Sequence, residues 1–191
     1  MNYNQAVKEL EKGNYKGCID YFKDNNYNLE YAYSLLLSGN LKDAKRRAEL
    51  HNSVRYDWLS KLIVMCEGEI EYPTYFQLRS FLEIDLSLLI KSGKLEYVNN
   101  LLKLAQTFQG INRESYKFFG RGLLKNGYPK EARYFLDKAL EDYYNDVELH
   151  FLFVEYYLSI GEKELAKKTA ERCLKINPEY YPAKKFCKES N

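Results

Sequence analysis

Hydrophobic residues recur along most of the chain at intervals of three and four positions, the spacing of an amphipathic helix. The segment before Gly127 shows the pattern with Tyr116, Phe119, Leu123 and Leu124. The segments that follow this and similar glycines repeat it. The sequence therefore predicts an all-α protein.

Glycines separate these amphipathic segments at regular distances. Gly93, Gly127 and Gly161 follow one another at intervals of 34 residues, and Gly39 and Gly13 have the same local context. Glycine adopts positive φ at little cost, so it can end one helix and allow a tight turn into the next. We therefore expect each unit of this kind to be a helix hairpin.

One unit, residues 113–146, carries a recognisable motif. Its first helix reads YxxFGxxL from Tyr116, and its second reads AxxxL from Ala132. With the period of 34, this motif resembles the tetratricopeptide repeat, in which small residues let two helices approach and large residues fill the space around them. The unit 147–180 loses the small residue of the first helix but keeps the closing proline, Pro178.

The resemblance is uneven along the chain. It is best over residues 113–180 and weaker over 25–58 and 79–112, where Asp85 stands at a position that is usually apolar. It implies a right-handed α-solenoid of tetratricopeptide-like hairpins, with about twelve helices including a C-terminal capping helix. We expect residues 1–191 to form a single domain of this kind.

The N-terminal half, residues 1–72, is less regular than the rest. Gly39 and Gly93 lie 54 residues apart, which is one repeat plus 20, so we expect an extra helix from Ser53 to Gly68. The segment 53–78 is then either a bend between two halves or a packed single helix. The remaining elements are expected to be a long helix after Pro73, regular repeats at 79–112, 113–146 and 147–180, and a capping helix at 179–190.

Charge and hydropathy narrow the class of partner. The chain has 29 basic and 27 acidic residues, a formal net charge of +2. This is too small to favour a general polyanion binder, so nucleic acid is not an expected partner. Glu9 and Glu11 interrupt the N-terminal segment where a secretory signal needs apolar residues, and no apolar run approaches the ~20 residues of a membrane span. We expect a cytoplasmic protein without a membrane partner, either monomeric or weakly self-associating.

Motifs for catalysis or cofactor binding are not apparent in the sequence. It contains no glycine-rich phosphate loop, nucleophile elbow or HExxH motif, and its four cysteines form no CxxC pair. His150 stands at a repeat position that normally holds a large aromatic residue, which favours packing over catalysis. The sequence therefore predicts a non-enzymatic protein without a cofactor or a metal.

The family resemblance also implies where a partner binds. In tetratricopeptide proteins the first helix of each hairpin lines a concave surface that holds peptides or partner helices. Carried over by position, the partner-binding residues are Tyr33, Ser87, Lys117, Phe118, Arg121, Phe151 and Glu155.

Two pairs among these residues admit alternative interpretations. Lys117 and Arg121 lie one helical turn apart, so they either meet an acidic side chain of a partner or pair within the chain with Glu114 or Glu155. The aromatic rings at positions 118 and 151 either pack under the capping helix or meet an apolar ligand segment.

Two functions are consistent with these patterns. The first is a scaffold that binds a peptide or protein segment in a C-terminal groove. The alternative is an RNA-binding helical-repeat protein of the pentatricopeptide type, whose repeats have the same hairpin architecture but run one residue longer. The interval of 34 residues and the near-neutral charge favour the scaffold.

Overall fold

The computed structural model describes residues 1–189 and contains fourteen α-helical segments there, besides a short 3-10 helix, Tyr15–Gly17, and one π-helical turn. Within these residues there is no β-strand, which confirms the all-α prediction. Because α6 and α7 are joined by a π-helical turn into one run, the described part of the chain has 13 separate α-helices, close to the twelve expected. In chain order they are α1 (Tyr3–Glu11), α2 (Ile19–Asp24), α3 (Asn28–Ser38), α4 (Leu41–Glu49), α5 (Val54–Cys66), α6 (Tyr75–Ser80), α7 (Leu86–Lys91), α8 (Leu95–Lys103), α9 (Ala105–Ile111), α10 (Ser115–Lys125), α11 (Pro129–Asp142), α12 (Val147–Ser159), α13 (Lys163–Ile176) and α14 (Tyr181–Glu189).

The predicted glycine turns are confirmed. Gly39 has a φ of 92°, and the amides of Gly39 and Asn40 donate to the carbonyl oxygens of Leu36 and Leu35 at the end of α3. These bonds satisfy carbonyls that the helix leaves unpaired, which is how a left-handed glycine ends a helix. The same positive φ occurs at the other four predicted turns, Gly13, Gly93, Gly127 and Gly161.

The chain divides into two compact units. The first comprises residues 1–111 and the second begins at Asn112. The division coincides with the end of the predicted repeat 79–112.

The extra helix predicted between Ser53 and Gly68 is α5. Ser53 has the extended backbone of an N-cap residue, although its hydroxyl makes no capping hydrogen bond. The helix ends at Cys66, just before Gly68, which has a φ of 89°. It lies against α4 and α8 inside the first unit, so this part of the segment 53–78 is a packed helix.

The long helix expected after Pro73 is continuous but not uniform. It begins after Thr74, whose side chain forms a reciprocal capping box with Gln77, so Pro73 precedes the cap. The segment Phe81–Asp85 then forms a π-helical turn between α6 and α7. Such a turn holds one extra residue and is frequent at functional sites.

The turn at Gly13 lies against the carboxyl end of α7. A methyl group added at Gly13 would lie 2.6 Å from the carbonyl carbon of Lys91 and 2.8 Å from the amide nitrogen of Ser92. Gly93 has a similar φ of 73°, but nothing lies within 4 Å of the same added group. The two glycines therefore form a matched pair in which only the close contact differs.

We expect Gly93→Ala to destabilise the first unit by about 1 kcal/mol, the cost of placing alanine in the left-handed region. Gly13→Ala should cost about 2 to 3 kcal/mol, because the backbone of α7 must also move. Urea unfolding followed by the fluorescence of Trp58, which lies in this unit, measures both costs. Equal losses in the two variants would contradict the close contact.

The second unit contains two hairpins, α10 with α11 and α12 with α13, and α14 packs on α13. Gly120 allows the close approach of the first pair, since a methyl group there would lie 2.5 Å from Cδ2 of Leu136. Ala183 of α14 is buried in a cluster with Ala166 and Ala170 of α13. This is the capping helix predicted at 179–190, of which Ser190 lies outside the described residues.

Candidate functional site

A groove with a volume of about 570 Å³ opens on the second unit. Its walls come from α10 and α12, the first helices of the two hairpins, and from the segment that leads into α14. An apolar floor is bordered by charged side chains. The lining residues are Arg121, Leu124, Lys125, Glu148, Phe151, Leu152, Glu155, Ser159, Tyr180 and Pro182.

Helical periodicity places these side chains together. Glu148, Leu152, Glu155 and Ser159 succeed one another along α12 at intervals of three and four, so they share one face. Lining residues of α10 recur at the same interval. The ring of Tyr180 packs at 5.7 Å from a phenylalanine ring of α12 and so closes one side of the groove.

The charges that border the groove are only partly paired. Nη2 of Arg121 lies 2.5 Å from Oε1 of Glu148. Burial raises the pKa of the Glu155 carboxyl, which the nearby Arg121 opposes, and Glu155 makes no ion pair or hydrogen bond with the described residues. Lys125 likewise has no ion-pair partner among residues 1–189. The groove therefore presents one carboxylate and one ammonium group that can meet a ligand.

The structure brings three of the predicted partner-binding residues into this groove: Arg121, Phe151 and Glu155. Lys117 and Phe118 lie on the same α10 helix but are 4% and 2% exposed. Both belong to the interior of the second unit and do not line the groove.

Lys117 is held by three carboxylates. Its Nζ lies 2.6 Å from Oε1 of Glu114, 2.7 Å from Oδ2 of Asp146 and 3.3 Å from Oε2 of Glu148. Burial disfavours the charged ammonium, but the hydrogen bonds that Lys117 donates to Asp146 and Glu114 outweigh it and raise the pKa of Lys117. The interpretation in which Lys117 pairs with Glu114 is confirmed. Arg121 pairs with Glu148 and is not within ion-pair distance of Glu155.

Phe151 agrees with both interpretations given for it, packing beside the capping helix and exposure to an apolar ligand. Its half-buried ring contacts Tyr180 and packs against the cluster that contains Ala183 of the capping helix. The same ring lines the groove. One side of Phe151 is thus covered by the chain while the other is available to a ligand.

The other two predicted site residues, Tyr33 and Ser87, belong to the first unit. Ser87 is buried, with its hydroxyl 3.5 Å from the carbonyl oxygen of Glu83. Tyr33 lines a second cavity, which we call the Asp85 cavity. Its volume is about 260 Å³, and it is lined by Leu29, Tyr33, Arg55, Trp58, Ile84 and Asp85.

Asp85 is the chemically unusual residue of this cavity. Only 3% exposed, its carboxylate accepts a hydrogen bond of 2.9 Å from Nε1 of Trp58 and another from the Tyr33 hydroxyl. Burial raises the pKa of Asp85 to about 7, against the effect of both hydrogen bonds. The only feature of the sequence that points to this cavity is Asp85 itself, a carboxylate at a repeat position that is usually apolar.

Most other residues considered for chemistry are buried. The ring of His150 is buried with Nε2 2.8 Å from the carbonyl oxygen of Tyr144, which confirms its packing role, and burial lowers its pKa. Burial also raises the pKa of the thiols of Cys18, Cys66 and Cys173. Among residues 1–189, no three or more His, Cys, Asp or Glu side chains are grouped to hold a metal ion. None of the described helices has the length and hydropathy needed to cross a membrane.

Comparison with known proteins gives no relative from which a function could be transferred. The chain matches no protein-family model, no curated protein and no solved structure. The function has to be inferred from the groove and the Asp85 cavity themselves.

Proposed function

We propose that this protein is a non-enzymatic interaction module that binds a peptide or partner segment in the groove of the second unit. The observation that carries the proposal is the groove itself, in which an apolar floor is bordered by a carboxylate and an ammonium group without partners. Grooves of this size with a few polar groups at their edges are typical of binding sites.

The proposal includes the finer architecture that the sequence predicts, a right-handed solenoid of tetratricopeptide-like hairpins. Two features support it. Gly120 stands at a close contact between α10 and α11, as the small residue of the repeat does. Gly127 and Gly161 end the first helix of each hairpin at equivalent positions. In such repeats the first helices carry the ligand, and here α10 and α12 line the groove.

The chemistry of the groove defines its occupant. Leu124, Phe151 and Leu152 offer a floor for one or two apolar side chains of the ligand. Glu155 favours a lysine or arginine next to that apolar anchor, and Lys125 favours an acidic residue. We therefore expect a short peptide segment with an apolar anchor and a neighbouring basic residue.

No observation on this groove favours the RNA-binding alternative. Arg121 and Lys125 are accompanied by the carboxylates of Glu148 and Glu155, which would repel a phosphate backbone. An RNA-binding function stays an untested prediction of the sequence.

Selection of displayed random 12-residue peptides on the full chain tests the groove. We expect enrichment of peptides with an apolar anchor and a nearby Lys or Arg. Glu155→Lys should weaken the selected peptide by about ten-fold, measured by fluorescence anisotropy, because a like charge replaces the carboxylate. A peptide with Glu in place of its basic residue should recover affinity for this variant.

The matched control is Glu164→Lys, which makes the same charge change at an exposed position of α13 outside the groove. It should leave the affinity unchanged. Unchanged binding to Glu155→Lys, or a selection that enriches no peptide above background, would refute the proposed function.

A further inference from the structure

The Asp85 cavity of the first unit is a second site with its own chemistry. Residues of three segments form it: α3 contributes Leu29 and Tyr33, α5 contributes Trp58, and the π-helical turn contributes Asp85. All of them lie within one compact unit. The cavity is therefore a property of that unit alone.

The carboxylate of Asp85 has hydrogen-bond donors but no cation. Trp58 and Tyr33 both donate as neutral groups, and none of the described lysine or arginine side chains lies within 4 Å. Arg55 lines the cavity without forming an ion pair there. A carboxylate removed from water is unfavourable unless a proton or a cation neutralises it. Above about pH 7, where Asp85 has lost its proton, the cavity thus lacks one positively charged group.

The walls of the cavity indicate the kind of cation. The ring of Trp58 is held edge-on against Phe81, with centroids 4.9 Å apart, so that its N–H is directed at Asp85. Aromatic rings attract cations, and an ammonium group donates up to three hydrogen bonds. Leu29 and Ile84 add aliphatic surface on which an alkyl chain can pack.

We propose that the Asp85 cavity binds an alkylammonium group, with the ammonium on the Asp85 carboxylate and the alkyl chain against Leu29 and Ile84. The group comes either from a small amine or from a lysine side chain of a partner. The volume of the cavity, about 260 Å³, accommodates a chain of a few carbon atoms. Arg55, at the same cavity, is not part of the binding contact and opposes the ligand by repulsion.

Trp58 provides the measurement, because it is the one tryptophan in the sequence and donates directly to Asp85. n-Butylammonium is titrated into the full chain at pH 8 while the emission of Trp58 is recorded, with n-butanol as the neutral analogue. At this pH Asp85 is ionised, and burial raises the pKa values of Tyr33 and Cys66, which keeps both neutral. We expect a saturable change with n-butylammonium and none with n-butanol.

Variants assign the response to the carboxylate. Asp85→Asn should weaken n-butylammonium by about 30-fold or more, since the neutral amide cannot pair with the cation. Arg55→Gln should strengthen binding a few-fold by removing the repulsion. Asp57→Asn removes a carboxylate of the same unit that does not line the cavity and should bind like wild type, which separates loss of the Asp85 charge from a general effect of the substitution.

Nα-Acetyllysine amide distinguishes the two sources of the ammonium. Binding of both compounds indicates a lysine side chain of a partner, and binding of n-butylammonium alone indicates a small amine. Equal responses to n-butanol and n-butylammonium, an unchanged affinity in Asp85→Asn, or weaker binding in Arg55→Gln would each overturn the proposal. None of these outcomes depends on the groove of the second unit.

Discussion

Lys117→Met should destabilise the second unit by about 3 kcal/mol. Three carboxylates share the single ammonium of Lys117, and its side chain is 5% exposed. Methionine has a similar length, so the loss comes mainly from repulsion among Glu114, Asp146 and Glu148, of which only Glu148 keeps another cationic partner in the described part of the chain, Arg121. Removal of one partner from a buried ion pair costs about 3 to 5 kcal/mol, and partial exposure of these carboxylates places the effect at the lower end.

The effect of Lys117→Met should also depend on pH. Burial disfavours the charged carboxylate of Asp146, but hydrogen bonds from Lys117 and from the amides of Leu149 and Glu148 outweigh it and lower the pKa. A carboxyl with a lowered pKa stabilises the folded state above its ordinary pKa of about 4, and this contribution is lost as the pH falls through the lowered value. The difference between wild type and variant should therefore shrink in acid.

Lys138→Met is the matched control for this prediction. Lys138 also pairs with a carboxylate, Glu141 at 3.0 Å, but both side chains are exposed on α11. Such a surface pair contributes at most about 0.5 kcal/mol. Urea unfolding followed by circular dichroism at 222 nm measures both variants. A loss in Lys117→Met no larger than that in Lys138→Met would show that the buried cluster does not stabilise the unit.

The features predicted correctly from the sequence are those with a local cause. Gly39, Gly127 and Gly161 end helices because only glycine adopts positive φ without cost, and that requirement is visible from the flanking periodicity alone. The helix that begins after Ser53 follows from the 54-residue interval between two such turns. Neither depends on which helices pack together.

The placement of Lys117 depends on a distant residue. Its strongest cross-helix partner, Asp146, lies 29 positions away and also caps α12 through the amides of Glu148 and Leu149. Repeat position alone assigns Lys117 to a ligand surface, because it does not reveal which charges of the next hairpin face it. Arg121, one turn further along α10, does reach the groove.

Asp85 shows even more clearly that repeat position alone does not predict which side chains meet. Its mismatch with the repeat was visible in the sequence, but its donors, Trp58 and Tyr33, lie 27 and 52 positions away on other helices. Helical periodicity also assumes a regular helix, whereas Phe81–Asp85 is a π-helical turn that shifts the faces of the residues after it. The Asp85 cavity therefore emerges only once α3, α5 and this turn are packed.

The burial of Asp85 makes the stability of the first unit depend on pH. Its pKa is raised to about 7, so between about pH 4 and pH 7 the folded state holds a proton that the unfolded chain has released. Stability from this group is full below about pH 4 and is lost as the pH rises through 7. At about 1.4 kcal/mol per pH unit, the loss is about 4 kcal/mol.

Asp85→Asn should remove this dependence, because the amide cannot ionise and still accepts a hydrogen bond from Trp58. Relative to the variant, the wild type should lose about 4 kcal/mol of unfolding free energy between pH 4 and pH 8, in urea unfolding followed by Trp58 fluorescence.

Asp57→Asn is the control, and the pH dependence that it removes has the opposite sign. Hydrogen bonds from Gln77 and Lys61 lower the pKa of Asp57, so this carboxylate stabilises the fold at neutral pH and loses that effect in acid. A difference between wild type and Asp85→Asn that does not change with pH would mean that Asp85 is ionised in the folded protein throughout this range, and that the hydrogen bonds from Trp58 and Tyr33 are enough to stabilise its charge.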